Sequence, residues 1–245
     1  MLIREGQDRS LVHDRRLACA LALVAGALNS AGFYAVGVFS ANMTGNVSTL
    51  ADRMALGDLV TGLFYLAILA TFVLGAALST LVTSAGKRRR IGSVYALAIL
   101  VEGLLLAALG VADLRLGPGL REPVLVFGLS FLMGLQNAIV TRISGARVRT
   151  THVSGMATDV GIAIGALADI ALRGGAAAEA EPHRDRLGLH GATILSFCLG
   201  GVLGVVVYRA WGAGLLFGAA ALLSGLSAPF LPRRHAAAAA TPPQR

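Results

Sequence analysis

Six stretches of the chain are apolar for about 20 residues, the length that crosses a ~30 Å hydrocarbon core as a helix. They are Leu17–Phe39, Leu59–Ala85, Ile91–Ala112, Val124–Thr141, His190–Ala210 and Gly212–Leu231. Two further stretches are mixed: Thr44–Leu56 is interrupted by Asp52 and Arg53, and Ser154–Leu172 holds Asp159 and Asp169. A polar, turn-like segment introduces each of them, SANMTGNVSTL at 40–50 and TTHVSGMATDVG at 151–161. The pattern predicts an all-α membrane protein with six transmembrane helices and two short helices that either re-enter the bilayer or lie at its surface. A tail over residues 1–16, one transmembrane domain over 17–231 and a low-complexity, disordered tail over 232–245 complete the expected organisation.

The two polar segments belong to a longer echo. AGALN at 25–29 resembles MGLQN at 133–137, 108 residues on, and NMTGNVS at 42–48 resembles HVSGMAT at 152–158, 110 residues on. Each half, 17–112 and 124–231, then reads as span, polar turn with short helix, span, span. Three spans is an odd number, so the second half would enter the membrane upside down, as in the inverted repeats of transporters and channels. In each half the chain is expected to dip back into the bilayer, with Thr44 and Ser154 as N-caps and Gly45 and Gly155 allowing close backbone approach. The competing reading is a pair of ordinary surface loops.

Composition fits lipid contact. Mean hydropathy is +0.73 and only 14% of residues are charged, against about 25% in soluble domains. The net charge of +8 would suggest nucleic acid in a soluble protein, but here the positive residues fall between spans and set orientation. With the N-terminus inside, six spans and both short helices re-entering, Arg53, Arg115, Arg121 and Arg209 alone among the 21 Lys and Arg lie outside. If 154–172 crossed fully, Arg173, Arg184, Arg186, Arg233, Arg234 and Arg245 would move outside, and the asymmetry would fade. The basic head before Leu17 precedes an apolar run too long for a usual signal peptide, which favours a retained first span. Cys19 and Cys198 both sit in apolar runs and suggest no disulfide framework. Gly161 with Gly165, Gly200 with Gly204 and Gly214 with Gly218 have the spacing of close helix packing.

The candidate chemistry is polar rather than catalytic. Two helix N-termini meeting at membrane depth would offer free N–H groups to a polar or anionic solute. Asn29, Asn42, Thr44, Gly45, Asn46, Gln136, Asn137, His152, Ser154, Gly155 and Asp159 are the candidate binding residues. Asn29, Gln136 and Asn137 either line a path or bridge helices. Glu102, at the centre of the third span, reads as a proton-coupling group or as a structural hydrogen-bonding residue. His152, Ser154 and Asp159 lie too close along one segment to make a hydrolytic triad, and no enzyme activity is expected. No phosphate loop, zinc spacing or dinucleotide fingerprint occurs, so no cofactor or metal is called for. The expected partners are the lipid bilayer and a small polar solute, with no nucleic acid; a second copy of the chain remains open.

Two longer motifs carry a family resemblance: AGALNSAGFYAVGVFSANMTGN at 25–46 and FLMGLQNAIVTRISGARVRTTHVSG at 131–155. By these the chain resembles the YoaK family of bacterial multi-pass membrane proteins, over about residues 17–231. The family often has His before MTGN, where this chain has Asn42, and Thr-Gly where it has Ser154-Gly155. The resemblance implies an integral protein of the bacterial inner membrane, with both termini cytoplasmic on the charge argument, and no established activity.

Overall fold

The computed structural model describes Leu2 and residues 10–231; the tail expected at 232–245 lies outside the described residues, as does most of the expected N-terminal tail. Every regular element described is helical. The order is α1 (Leu11–Val36), α2 (Met43–Ala55), α3 (Leu59–Arg88), α4 (Val94–Arg115), α5 (Pro118–Ile143), α6 (Val153–Leu172), α7 (Ala177–Trp211) and α8 (Gly214–Ser227), followed by a 3-10 turn at Ala228–Phe230. Six helices are long and apolar enough to cross a membrane, which makes this an integral membrane protein.

These six are not quite the expected six. The stretch at 154–172 is a full 20-residue helix, whereas the expected last span at 212–231 is a 14-residue helix plus the 3-10 turn. Gly212 and Pro229 explain the shortening, because neither suits a helix interior. Other helices outrun their apolar cores. α1 starts at Leu11, where the Ser10 hydroxyl accepts from the His13 N–H, and ends at Val36 because Gly37 takes φ 74°. α7 extends back over 177–189, where alanine and charged residues are acceptable helix formers and Pro182 is tolerated within the helix's second turn.

Packing rests on two parallel helix pairs. In the first, α1 lies along α7: a Cβ built on Gly26 would sit 2.0 Å from the Phe197 carbonyl oxygen, and one on Gly200 2.0 Å from that of Leu23. Gly204 opposes Ala27 and Tyr34 meets Tyr208 edge-on, so residue numbers rise together along the pair. In the second, α3 lies along α5: Gly75 opposes the Phe131 carbonyl at 2.1 Å and Gly134 that of Phe72 at 1.9 Å. Phe64 touches Phe127 and Arg142 donates to Ser84, again in rising order. Only glycine permits backbones this close.

The remaining helices complete the bundle. α8 runs antiparallel to α4, with Gly103 against Ala220 and Gly110 against Leu216 and Phe217. α2 folds back on α3, where Met54 meets Gly62, and α6 folds back on α7, where Asp159 faces His190. At one end Asp113, Arg121 and Tyr208 form a hydrogen-bonded cluster joining α4, α5 and α7; Arg121 Nε donates to Asp113 at 2.6 Å. Of the glycine pairs with packing spacing, Gly200 and Gly204 do face a neighbouring backbone. Gly161, Gly165 and Gly218 face nothing within 4 Å, and Gly214 meets only its own turn at Trp211.

Candidate functional site

The two polar segments converge. The first turns of α2 and α6 open into one cavity of about 730 Å3, lined from the first segment by Asn42, Thr44 and Gly45 and from the second by His152, Ser154 and Gly155. Asn29, Phe72 and Phe197 complete its wall from α1, α3 and α7.

Each polar turn is pinned by an asparagine on the preceding helix. The Asn29 side-chain oxygen accepts from the Ala41 N–H at 2.8 Å. The Asn137 oxygen accepts from the Thr151 hydroxyl at 2.9 Å, while its own amide donates to the Met133 carbonyl. Asn137 does not line the cavity, so its role is to hold the turn. Asn46 is likewise buried and donates to the Phe39 carbonyl. These carboxamides are therefore occupied within the protein, as buried amides in a low-dielectric setting require.

The N-caps differ from those expected. Asn42, not Thr44, caps α2, its side chain accepting from the Gly45 N–H at 3.1 Å. The corresponding position in α6 is His152, not Ser154, and it makes no capping hydrogen bond. The caps fall two residues early because α2 and α6 begin their helical geometry at Met43 and Val153, which already carry Thr44 and Ser154 into the first turn. The outcome is unequal: Asn42 caps one first-turn N–H of α2, while among the described residues no side chain caps the leading N–H groups of α6.

Asp159 lies elsewhere. It lines a second cavity, about 400 Å3, with Arg149, Arg186 and His190; its carboxylate is 3.5 Å from His190 Nε2. No hydrogen bond among the described residues joins His152, Ser154 and Asp159. Gln136 is fully buried with both amide atoms unpartnered, and it lines neither cavity.

A family model described as Protein of unknown function (DUF1275) matches residues 17–228. The chain belongs to the DUF1275 family. No match was found among curated proteins or among solved structures. The matched range of this DUF1275 chain runs from the start of the α1 apolar core to the end of α8, so it takes in both polar turns and the central cavity.

Sequence reasoning missed Phe72 and Phe197 as wall residues of the DUF1275 cavity. A signal existed: each begins a Phe-x-x-Gly motif, at 72–75 and 197–200, whose glycine sits at a helix crossing.

Glu102 is 1% exposed, both its oxygens are unpartnered, and it lines neither cavity. An unmet buried polar group costs about 1–3 kcal/mol. Glu102→Leu is therefore expected to stabilise the protein by a similar amount in detergent thermal denaturation. A fall in stability would show that the carboxyl has a partner that matters.

Proposed function

We propose that this protein is a transporter or channel of the bacterial inner membrane, carrying a small polar or anionic solute through the cavity between α2 and α6. The observation that carries the reading is the meeting of two helix N-termini in one cavity beside the middles of α3 and α7. α3 is 30 residues, about 45 Å long, and Phe72 lies near its midpoint. The first turn of α2 therefore sits at half the height of the bundle. Irregular backbone at that depth is tolerated only when buried in protein or lining a wet cavity.

The directions of the helices support re-entrant α2 and α6. α1 and α7 run the same way, with α3, α4 and α5 crossing between them. Three crossings reverse the chain an odd number of times, so α2 and α6 must both cross or both turn back. α2 has 13 residues, about 20 Å, too short for a ~30 Å core. On this reading both turn back, and the sixth span is α8 continued by its 3-10 turn, Gly214–Phe230. This is also the arrangement that keeps all but four Lys and Arg inside, with both termini cytoplasmic.

The contacts also support an inverted repeat. Exchanging α1 with α5, α2 with α6, α3 with α7 and α4 with α8 turns the α1–α7 crossing into the α5–α3 crossing, glycine for glycine. Gly26 and Gly134 correspond, as do Gly200 and Gly75, and each opposes a carbonyl three residues before the partner glycine. We retain the YoaK resemblance as a reading that rests on the two quoted motifs.

Proteoliposomes test this reading. Acetate, chloride, inorganic phosphate, glycerol and urea offered separately should include one that enters faster than in protein-free vesicles. Ser154→Trp, which fills the cavity from its wall, should cut that flux at least tenfold without lowering thermal stability. If none of the five moves, or if Ser154→Trp leaves flux intact, the cavity is not the path.

A further inference from the structure

The second cavity is the place to ask how the central one is reached. It lies where the N-terminal ends of α1 and α7 gather, and Leu11, Arg149, Arg186, Asp159 and His190 form part of its wall. Arg149 also lies against a wall residue of the other space. Its Nη1 is 3.3 Å from where a Cβ would stand on Gly155, and Gly155 lines the central cavity. One guanidinium thus lines the second cavity and packs against a wall residue of the first.

Arg149 has a further property among the described residues. It is exposed and forms no ion pair or side-chain hydrogen bond there, whereas neighbouring Arg147 is held by the buried Asp14 at 3.0 Å. Among the described residues the first-turn N–H groups of α6, on the wall of the central cavity, lack a side-chain cap. A free guanidinium and uncapped N–H groups both favour negative charge. The carboxylate in the second cavity, Asp159, faces His190.

The two halves differ most at this point. Stepping back 110 residues from Arg149 gives Phe39. Phe39 also lines the central cavity, but it is stacked on Phe33 with ring centroids 4.1 Å apart. One polar turn therefore places a stacked aromatic ring on the central cavity, where the other places a cation in the second cavity behind it. The cation side is the one with a second cavity behind it.

We propose that the second cavity is the inner vestibule of the path, and that Arg149 is its selectivity residue, admitting small anions and rejecting cations on the way to the central cavity. A fixed cation at a constriction raises the local anion concentration and opposes cation entry. The inference rests on the central cavity being the solute path, and it assigns that path a charge class and a side of entry.

Thiol labelling separates the two ideas without a known substrate. In a full-length chain carrying Cys19→Ser and Cys198→Ser, a Ser154→Cys substitution places one target in the central cavity. The probes are the anionic sulfonatoethyl and the cationic trimethylammonioethyl methanethiosulfonates, which differ little in size. They are applied to everted and to right-side-out vesicles. With Arg149 present, the anionic reagent should react about tenfold faster than the cationic one, and from everted vesicles only. Arg149→Gln should bring the ratio near one, and Arg149→Lys, which keeps the charge and covers any failure of Arg149→Gln to fold, should preserve most of it. A ratio unchanged in Arg149→Gln, or faster labelling from the opposite face, overturns the selectivity role and leaves the cavity reading intact. No labelling by either reagent from either face would mean the cavity is closed to water, and the solute-path reading itself would fall.

Discussion

Gly134→Val will abolish folded, monodisperse protein, while Gly161→Ala will leave its yield and melting temperature within a few degrees of the parent. The contrast follows from what lies beside each glycine. The first Cβ atom of any residue at 134 would stand 1.9 Å from the Phe72 carbonyl oxygen, well inside contact distance. Backbone, unlike a side-chain tip, cannot swing away. The α3–α5 pair would have to separate along its length, opening voids that forfeit dispersion contacts on both sides. Overpacking in a tight core costs about 1–3 kcal/mol and more where backbone must shift. The crossing also sets the cavity wall, since Phe72 is both the clashing residue and a lining residue. At Gly161 nothing lies within 4 Å, and alanine is a better helix former by about 1 kcal/mol. Size-exclusion profiles and thermal melts of both variants in detergent measure the difference. Equal behaviour of the two would mean that the glycine crossings do not hold the bundle together.

Much of this arrangement was legible in the sequence. Hydropathy located all eight described helices as apolar or mixed segments, and the paired motifs at 25–48 and 133–158 predicted that the polar turns correspond. The structure brings those turns to one cavity. Less legible was the crossing pattern. The offset between halves is 108 at Gly26 and Gly134 but 125 at Phe72 and Phe197, because α6 and the start of α7 are longer than α2 and the start of α3. A comparison at one fixed offset passes over the second pair of motifs. Helix ends were also hard to read, since charged residues continue α7 well past its apolar core. The caps were misplaced because Thr44 and Ser154 are good capping residues by type, yet Asn42 and His152 sit where the backbone turns. Glu102 was singled out for its depth, and depth alone does not say which space a side chain faces.

On the proposed transport reading, Asn137→Leu will lower flux through the central cavity at least tenfold, and Thr151→Val added to it will destabilise the protein less than the two separate losses combined. Asn137 accepts from the Thr151 hydroxyl and is itself buried among apolar residues of α5. Removing the amide leaves that hydroxyl without its partner beside the cavity, where water is the alternative only if the path is wet. Hydrogen bonds between membrane helices average about 0.6 kcal/mol and reach about 1.7, so Asn137→Leu alone should cost about 1–2 kcal/mol in detergent. Thr151→Val alone leaves the Asn137 oxygen without its closest donor and should cost a similar amount. With both changed, neither member of the Asn137–Thr151 pair is left unmet, and deleting both partners of a buried bond is far less costly than deleting one; the longer contact of the Thr150 hydroxyl to the Asn137 oxygen, 3.5 Å, is lost with or without Thr151→Val. The coupling between the two sites should therefore be favourable by about 0.5–1.5 kcal/mol. On that reading flux responds more steeply than stability, because the turn at 150–152 positions His152, Ser154 and the uncapped first turn of α6 together. A shift of about 1 Å in that turn would move every one of these groups relative to the facing residues of α2. Additive stability losses would mean that the Asn137–Thr151 bond is not what fixes the turn, and intact flux in Asn137→Leu would mean that the turn's position does not govern passage.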